Sequence, residues 1–437
     1  MFSIKKLMSV IFISTLSTSV YSADLLDVYN RSLIHNNAFK TTYNDHKIAE
    51  EKYNQTASSI LPEINITATS NQINSQRYTG TGVIKDYSSE GYSVNVTQPI
   101  FRLYFFDELN KSKSQIMKYD LGKMKQKKEL ILKSTQLYFN LIQLKNNIKT
   151  AGTKKDMMEA RLKSARKLYQ SGQITDITLN NHINNNNLAD VELIITKNEY
   201  ELAKQDIFIF TGREIRDVHD LNTEIELPNN IYEKNIVISK ALSSEDNILM
   251  AQYDVDISKD TIKSNRSKHY PTLDIVASYD YSDVSSGNRI GAVTRESSTV
   301  GVLLTVPIYQ GGYQSSKVKE SRYQYENAKL SLDNLKRNIK KDIIAKIDSH
   351  SLMRKLISIK EINYNNMNSN YITMQKGYKS GTYSDTQIEE SKYKLLEAKN
   401  EFIKSSLDYI FLDLELKRYS KKLSVKNIEA INSMLIW

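Results

Sequence analysis

VPIYQGG, residues 306–312, closes a β-like run on a proline, passes an aromatic residue and two glycines, and opens a long helix-prone segment. TQPIFRL, residues 97–103, makes the same switch about two hundred residues earlier. Outward from these two joints the chain repeats itself. LPEINITATS (61–70) aligns with YPTLDIVASY (270–279) at an offset of 209. VNVTQPI (94–100) aligns with VLLTVPI (302–308) at 208, and LYQSGQITD (168–176) with GYKSGTYSD (377–385) at 209. Three landmarks in one order at nearly one offset read as a tandem duplication, each half forming one structural unit.

Within each half the periodicity changes in the same order. Ile64, Ile66 and Ala68 alternate with Asn65, Thr67 and Thr69, and Tyr92, Val94 and Val96 alternate with Ser93, Asn95 and Thr97. Leu273, Ile275, Ala277 and Tyr279, then Val300, Val302, Leu304 and Val306, repeat the pattern. Period two predicts strands with one apolar and one polar face. Loops holding Gly80 and Gly82, or Gly287 and Gly291, join them, so hairpins are expected at 61–99 and 270–307. After each hairpin the period becomes helical, as in Leu137, Leu141, Leu144, Ile148 and Ala151, in Leu352, Leu356 and Ile359, and in Met367, Tyr371, Met374 and Tyr378. This spacing is coiled-coil-like and runs without proline over 103–170 and 313–379. At 1.5 Å per residue each helix would be roughly 100 Å long, beyond any compact globule. Pro62, Pro99, Pro271 and Pro307 fall where helix and strand meet, and Pro228 falls between the halves.

Residues 1–22 read as a signal peptide: Lys5 and Lys6, an apolar run, then Val20-Tyr21-Ser22 before Ala23. Removing them lowers the formal charge from +10 to near +8, because the segment holds two lysines and no acids. The basic excess is spread along the chain, unlike a nucleic-acid footprint. The absence of cysteine excludes disulfides, thiol chemistry and a lipid on a mature cysteine. No later stretch approaches the ~18 apolar residues of a spanning helix, so integral contact with a membrane requires a closed β-barrel. Four strands are too few to close one, but three protomers supply twelve. The six histidines are scattered, and neither a phosphate loop nor GxSxG is present. These observations argue against an enzyme and predict no catalytic residue, cofactor or metal. The expected fold class is mainly α with a β-barrel part.

LLDVYNRSLIHNNAFK (25–40), YPTLDIVASYDYS (270–282), VPIYQGG and GYKSGTYSD, in order within a repeat, resemble the TolC family of outer-membrane efflux channels over nearly the whole chain. The resemblance implies a homotrimer, with a twelve-stranded barrel in outer-membrane lipid and a helical α-barrel tunnel crossing the periplasm. It implies partners as well: a periplasmic adaptor and an inner-membrane transporter, for drug efflux or type I protein secretion. The expected organisation is a first repeat at 23–212, an equatorial linker at 213–240, a second repeat at 241–423 and an equatorial tail at 424–437. A soluble periplasmic coiled-coil adaptor is the alternative.

Gly172 and Gly381, each between helical runs, are expected to turn the chain at the periplasmic tip. Tyr378 matches the family's entrance tyrosine. Where the family carries entrance aspartates this chain has Thr178, Gln387 and Glu390, and the usual arginine after the second glycine is Tyr383. On the returning helix Ile388, Leu395 and Phe402 repeat every seven residues and mark a packed seam. Glu390 lies about 200° round from Ile388 and roughly 13 Å from the turn. It faces either the lumen, where threefold symmetry would make a cation-attracting ring of carboxylates, or solvent; Glu389 can take the role instead.

Overall fold

The computed structural model describes residues 24–436 except 75, 76, 80, 81, 85, 225 and 286–291. The expected signal peptide, the cleavage site before Ala23, Gly80, Gly287 and Gly291 lie outside the described residues. Helices α1 (Leu25–His35) and α2 (Asn37–Ser58) lead into strands β1 (Glu63–Ile73), β2 (Arg77–Thr79), β3 (Gly82–Ile84) and β4 (Tyr87–Arg102). The long α3 (Leu103–Gln170) descends and α4 (Asp176–Thr211) returns, followed by β5 (Asp220–Leu221). The second half repeats the order: α5 (Lys234–Ser244), α6 (Asp246–Ser267), β6 (Thr272–Val284), β7 (Val293–Thr305), α7 (Tyr313–Lys379) and α8 (Asp385–Tyr419). Helix α9 (Val425–Asn432) and strand β8 (Leu435–Ile436) end the chain. Helices α1 and α5, α2 and α6, and α4 and α8 each begin 209 residues apart.

Four strands form one antiparallel sheet in the order β1-β4-β6-β7, so the two hairpins meet where β4 pairs with β6, and β2 pairs with β3 separately. Residues directly opposite in an antiparallel pair share a face. The register sets Ile64, Val96, Ala277 and Val300 in one row and Ile66, Val94 and Tyr279 in the next. Ile275 then pairs with Val302, and Leu273 with Leu304. The apolar positions of all four strands therefore share one face, on which Val300 is 80% exposed and Val302 68%. Asn65, Asn95, Ser278 and Thr299 occupy the opposite face. Tyr92 stacks on Tyr281 at 5.2 Å near the loop end of the apolar face.

Pro62 and Pro271 stand just before β1 and β6, and Pro307 just after β7. Pro99 departs from this layout: it lies inside β4, at a shift of register between Pro99 and Phe101, and the strand runs on to Arg102. A bulge tolerates a residue that cannot donate to the ladder. Arg102 then pairs with Asp274 at 3.0 Å across the base of the sheet.

Below the sheet, α3 packs against α2 and α6 along its upper part and against α4 and α8 along its lower part. Helix α7 touches only α5, α6 and α8 among the main helical contacts. This asymmetry leaves the two helical stripes covered to different degrees within the chain. Leu141 and Ala151 are buried on α3, but Leu352, Leu356 and Ile359 on α7 are exposed. Ile339, Ile343, Ile347 and Ile357 pack α7 instead. Helix α4 likewise leaves Leu188, Val191, Ile195, Leu202 and Ile209 exposed, at heptad steps.

The largest apolar core lies midway along the helices. It joins Leu25 and Val28 of α1, Tyr138, Leu141 and Ile142 of α3, Ile207 of α4, Ile403, Leu407, Ile410 and Leu414 of α8, and Ile428 and Ile431 of α9. Strand β5 pairs with β8, and Asn432 bonds both Leu25 N and Asp24, so the linker, the tail and the start of the described chain form one layer against the long helices.

Candidate functional site

The lower ends of the helices carry the sequence-predicted site. Gly172 and Gly381 have φ of +71° and +79°, the left-handed region that ends a helix without a Cβ penalty. Gln173 N donates to Leu168 O and Thr382 N to Gly377 O, the same closure in both turns. The next helices start alike: Thr175 caps α4 by accepting from Thr178 N, and Ser384 caps α8 by accepting from Gln387 N. Gln387 also accepts from Ser384 N at 2.9 Å, completing a capping box. Thr178 and Gln387 thus hold the third position of equivalent helices and brace the turns.

Tyr378 donates its hydroxyl to Asp385 of its own turn at 2.5 Å. That bond raises the Tyr378 pKa. Tyr169 engages Asp176 in the same way across the first turn. The clasp was legible as a tyrosine followed seven residues later by aspartate in both LYQSGQITD and GYKSGTYSD.

Glu389 and Glu390 face different grooves. Glu389 lines one of about 420 Å³ between α3 and α8, with Asp156, Lys163, Lys167 and Asp385. It sits 3.4 Å from Lys392. Glu390 lines one of about 530 Å³ between α7 and α8, with Met367, Met374, Tyr383, Gln387 and Lys394. Its carboxylate meets Lys394 at 2.9 Å and Arg161 of α3 at 2.8 Å. These two cations, Lys394 first, hold the Glu390 pKa below the usual carboxylate value, so the group is ionised at neutral pH. Sequence reasoning missed Arg161, although RLKSARK (161–167) concentrates four cations at the end of α3. Ile388 and Phe402 are buried on the predicted seam.

No helix among the described residues is long and apolar enough to cross a membrane, which bears only on helices. The described residues thus offer polar, charged grooves at one end of the long helices and an apolar sheet face at the other.

Comparison with known proteins follows this division. The model of the outer membrane efflux protein family matches residues 237–413. The chain is 22% identical to outer membrane protein TolC of Escherichia coli K12, covering 99% of this chain and 89% of that protein. It is 20% identical to the alkaline protease secretion protein AprF of Pseudomonas aeruginosa, over 96% of this chain and 89% of the relative. The fold is similar to the crystal structure of the Campylobacter jejuni CmeC outer membrane channel, with a TM-score of 0.74, 16% identity, and coverage of 94% of this chain and 89% of that one.

Proposed function

We propose, from the premise that this chain belongs to the TolC family of outer-membrane efflux and secretion channels, that three copies assemble into one export conduit. The protein is an outer-membrane channel that extends into the periplasm and exports drugs or secreted proteins. One observation carries the reading: the apolar face continuous across four strands, set on helices roughly 100 Å long. A sheet face of this kind suits lipid, with the polar face turned to a water-filled lumen. A soluble adaptor has no use for it.

In the proposed assembly twelve strands close the barrel, and the helices continue below as a tunnel. The two halves, 23–212 and 241–423, descend from a duplication and are joined by the equatorial segments 213–240 and 424–437. Pro62, Pro99, Pro271 and Pro307 mark the passage from barrel to tunnel. Gly172 and Gly381 turn the chain at the tip, and Tyr378, Thr178, Gln387, Glu389 and Glu390 surround the entrance. The repeated turn geometry and tyrosine–aspartate clasps support that placement. The tip is offered to a periplasmic adaptor and an inner-membrane transporter.

Membrane fractionation with carbonate washing, followed by mass measurement in mild detergent, tests the assembly. A pelleted trimer is expected. A stable folded monomer would overturn the pooled barrel, because its sheet edges β1 and β7 would face lipid unpaired.

A further inference from the structure

In the proposed channel, the packing of helix α8 distinguishes the carboxylate that would face the bore. Ile403, Leu407, Ile410 and Leu414 lie beneath the layer formed by α1, α9 and the linker. In an open tunnel that layer must sit outside. Glu397, Lys404, Glu401 and Asp408 are exposed on another side of the helix. Steps of seven residues keep one face in a coiled-coil helix. Glu390 continues the stripe of Glu397 and Lys404, and Lys394 that of Glu401 and Asp408, whereas Glu389 continues the covered stripe of Leu396, Ile403 and Ile410. Glu390 and Lys394 thus fall on the bore side, and Arg161 reaches the same carboxylate from α3.

At the level of Glu390 each protomer therefore brings one carboxylate, one guanidinium and one ammonium, a net single positive charge or three in a threefold ring, while Glu397, Glu401 and Asp408 stand against Lys404 farther from the tip on the same side. Farther toward the tip, Lys163, Arg166, Lys167, Lys376, Lys379 and Lys392 stand against Asp156, Glu159, Asp176, Asp385 and Glu389, which adds one more formal positive charge per protomer. A narrow mouth with low-dielectric walls focuses such an excess.

Resting on the channel reading above, we infer that Arg161 and Lys394 reverse the field of the Glu390 ring, so that the entrance prefers anions and admits cargo with negatively charged groups. Arg161 is then a specificity-determining residue of the export pathway. The carboxylate ring remains, but as the partner that holds two cations in place.

Purified trimers in planar bilayers under a potassium chloride gradient test this, with magnesium as the divalent probe. The wild type should show an anion-to-cation permeability ratio above one and no magnesium block. Glu390→Gln should raise the ratio and Arg161→Gln should bring it near one. The Arg161→Gln/Lys394→Gln double variant should invert it and gain magnesium block. A wild-type ratio below one with block relieved by Glu390→Gln would overturn the inference, as would a ratio unmoved across the series. These outcomes require a conducting pore; a wild-type protein that forms none would refute the channel reading itself.

Discussion

Asp413, 1% exposed on α8, gathers more partners than any other buried acid described here. Tyr232 donates to it at 2.6 Å and Asn230 at 2.8 Å, Lys417 pairs at 2.8 Å, and the His350 ring stands 3.7 Å away, stacked on Tyr409. Burial alone would raise its pKa, but His350, Lys417, Tyr232 and Asn230 outweigh it and hold the carboxyl well below its ordinary value. The network ties the linker to α7 and α8, and Tyr409 adds a bond to Pro228 O at 2.6 Å. Asp413→Ala removes one partner of a buried ion pair and should cost about 3 kcal/mol, read as a lower melting temperature of the solubilised protein. Because the native pKa is depressed, this stabilisation is complete above the ordinary carboxylate pKa of about 4 and is lost as pH falls below it. The wild-type melting temperature should therefore fall more steeply than that of Asp413→Asn between pH 5 and pH 3. Equal slopes would show that the carboxylate is not the linked group.

At the scale of elements, the strand faces and the spans of α3 and α7 were legible because each rests on a local period, which burial enforces along the whole element. What covers the α7 stripe is not legible, for a related reason. A heptad pattern reports that Leu352 and Ile359 need a partner, but not whether that partner belongs to the same chain. Arg161 escaped notice because it meets Glu390 across 229 residues, a contact that no periodicity encodes. The sheet allows a direct test of face assignment. Val302→Lys should impair outer-membrane assembly, at about 2–4 kcal/mol near the midplane, whereas Thr299→Lys, on the polar face, should assemble. Equal assembly of both variants would refute the assignment of the apolar face to lipid. The turns make a second prediction. If each clasp braces its own helix pair, Tyr378→Phe and Asp385→Asn should speed amide exchange in residues 376–388 to the same degree, with no added effect in combination. Additive effects would mean that the two residues act through different partners.

For the whole molecule, the outermost elements are β1 and β7 in the sheet and α4 and α7 among the lower helices, and each leaves an apolar or hydrogen-bonding surface uncovered. Within the chain, β4 of the first half pairs with β6 of the second. The repeat predicts the missing pair, because the equivalents of β4 and β6 are β7 and β1, which lie at opposite edges of one sheet. Thr97 pairs with Val276. Shifted by the repeat offsets of 208 and 209 for these two strands, that pair becomes Thr305 opposite Thr67 of the next protomer. The register is parity-consistent, since it also sets Val302 opposite Ser70 and Leu304 opposite Ala68 on the apolar side. The chain has no cysteine, so two introduced thiols report only on each other. Under oxidation, Thr67→Cys/Thr305→Cys should therefore yield covalent dimers and trimers on a non-reducing gel. Leu304→Cys with Thr67→Cys should not, because a shift of one residue turns one thiol to the other face. Covalent products limited to monomer in the first variant would exclude threefold closure in this register, since the two strands are separated by β4 and β6 within one chain.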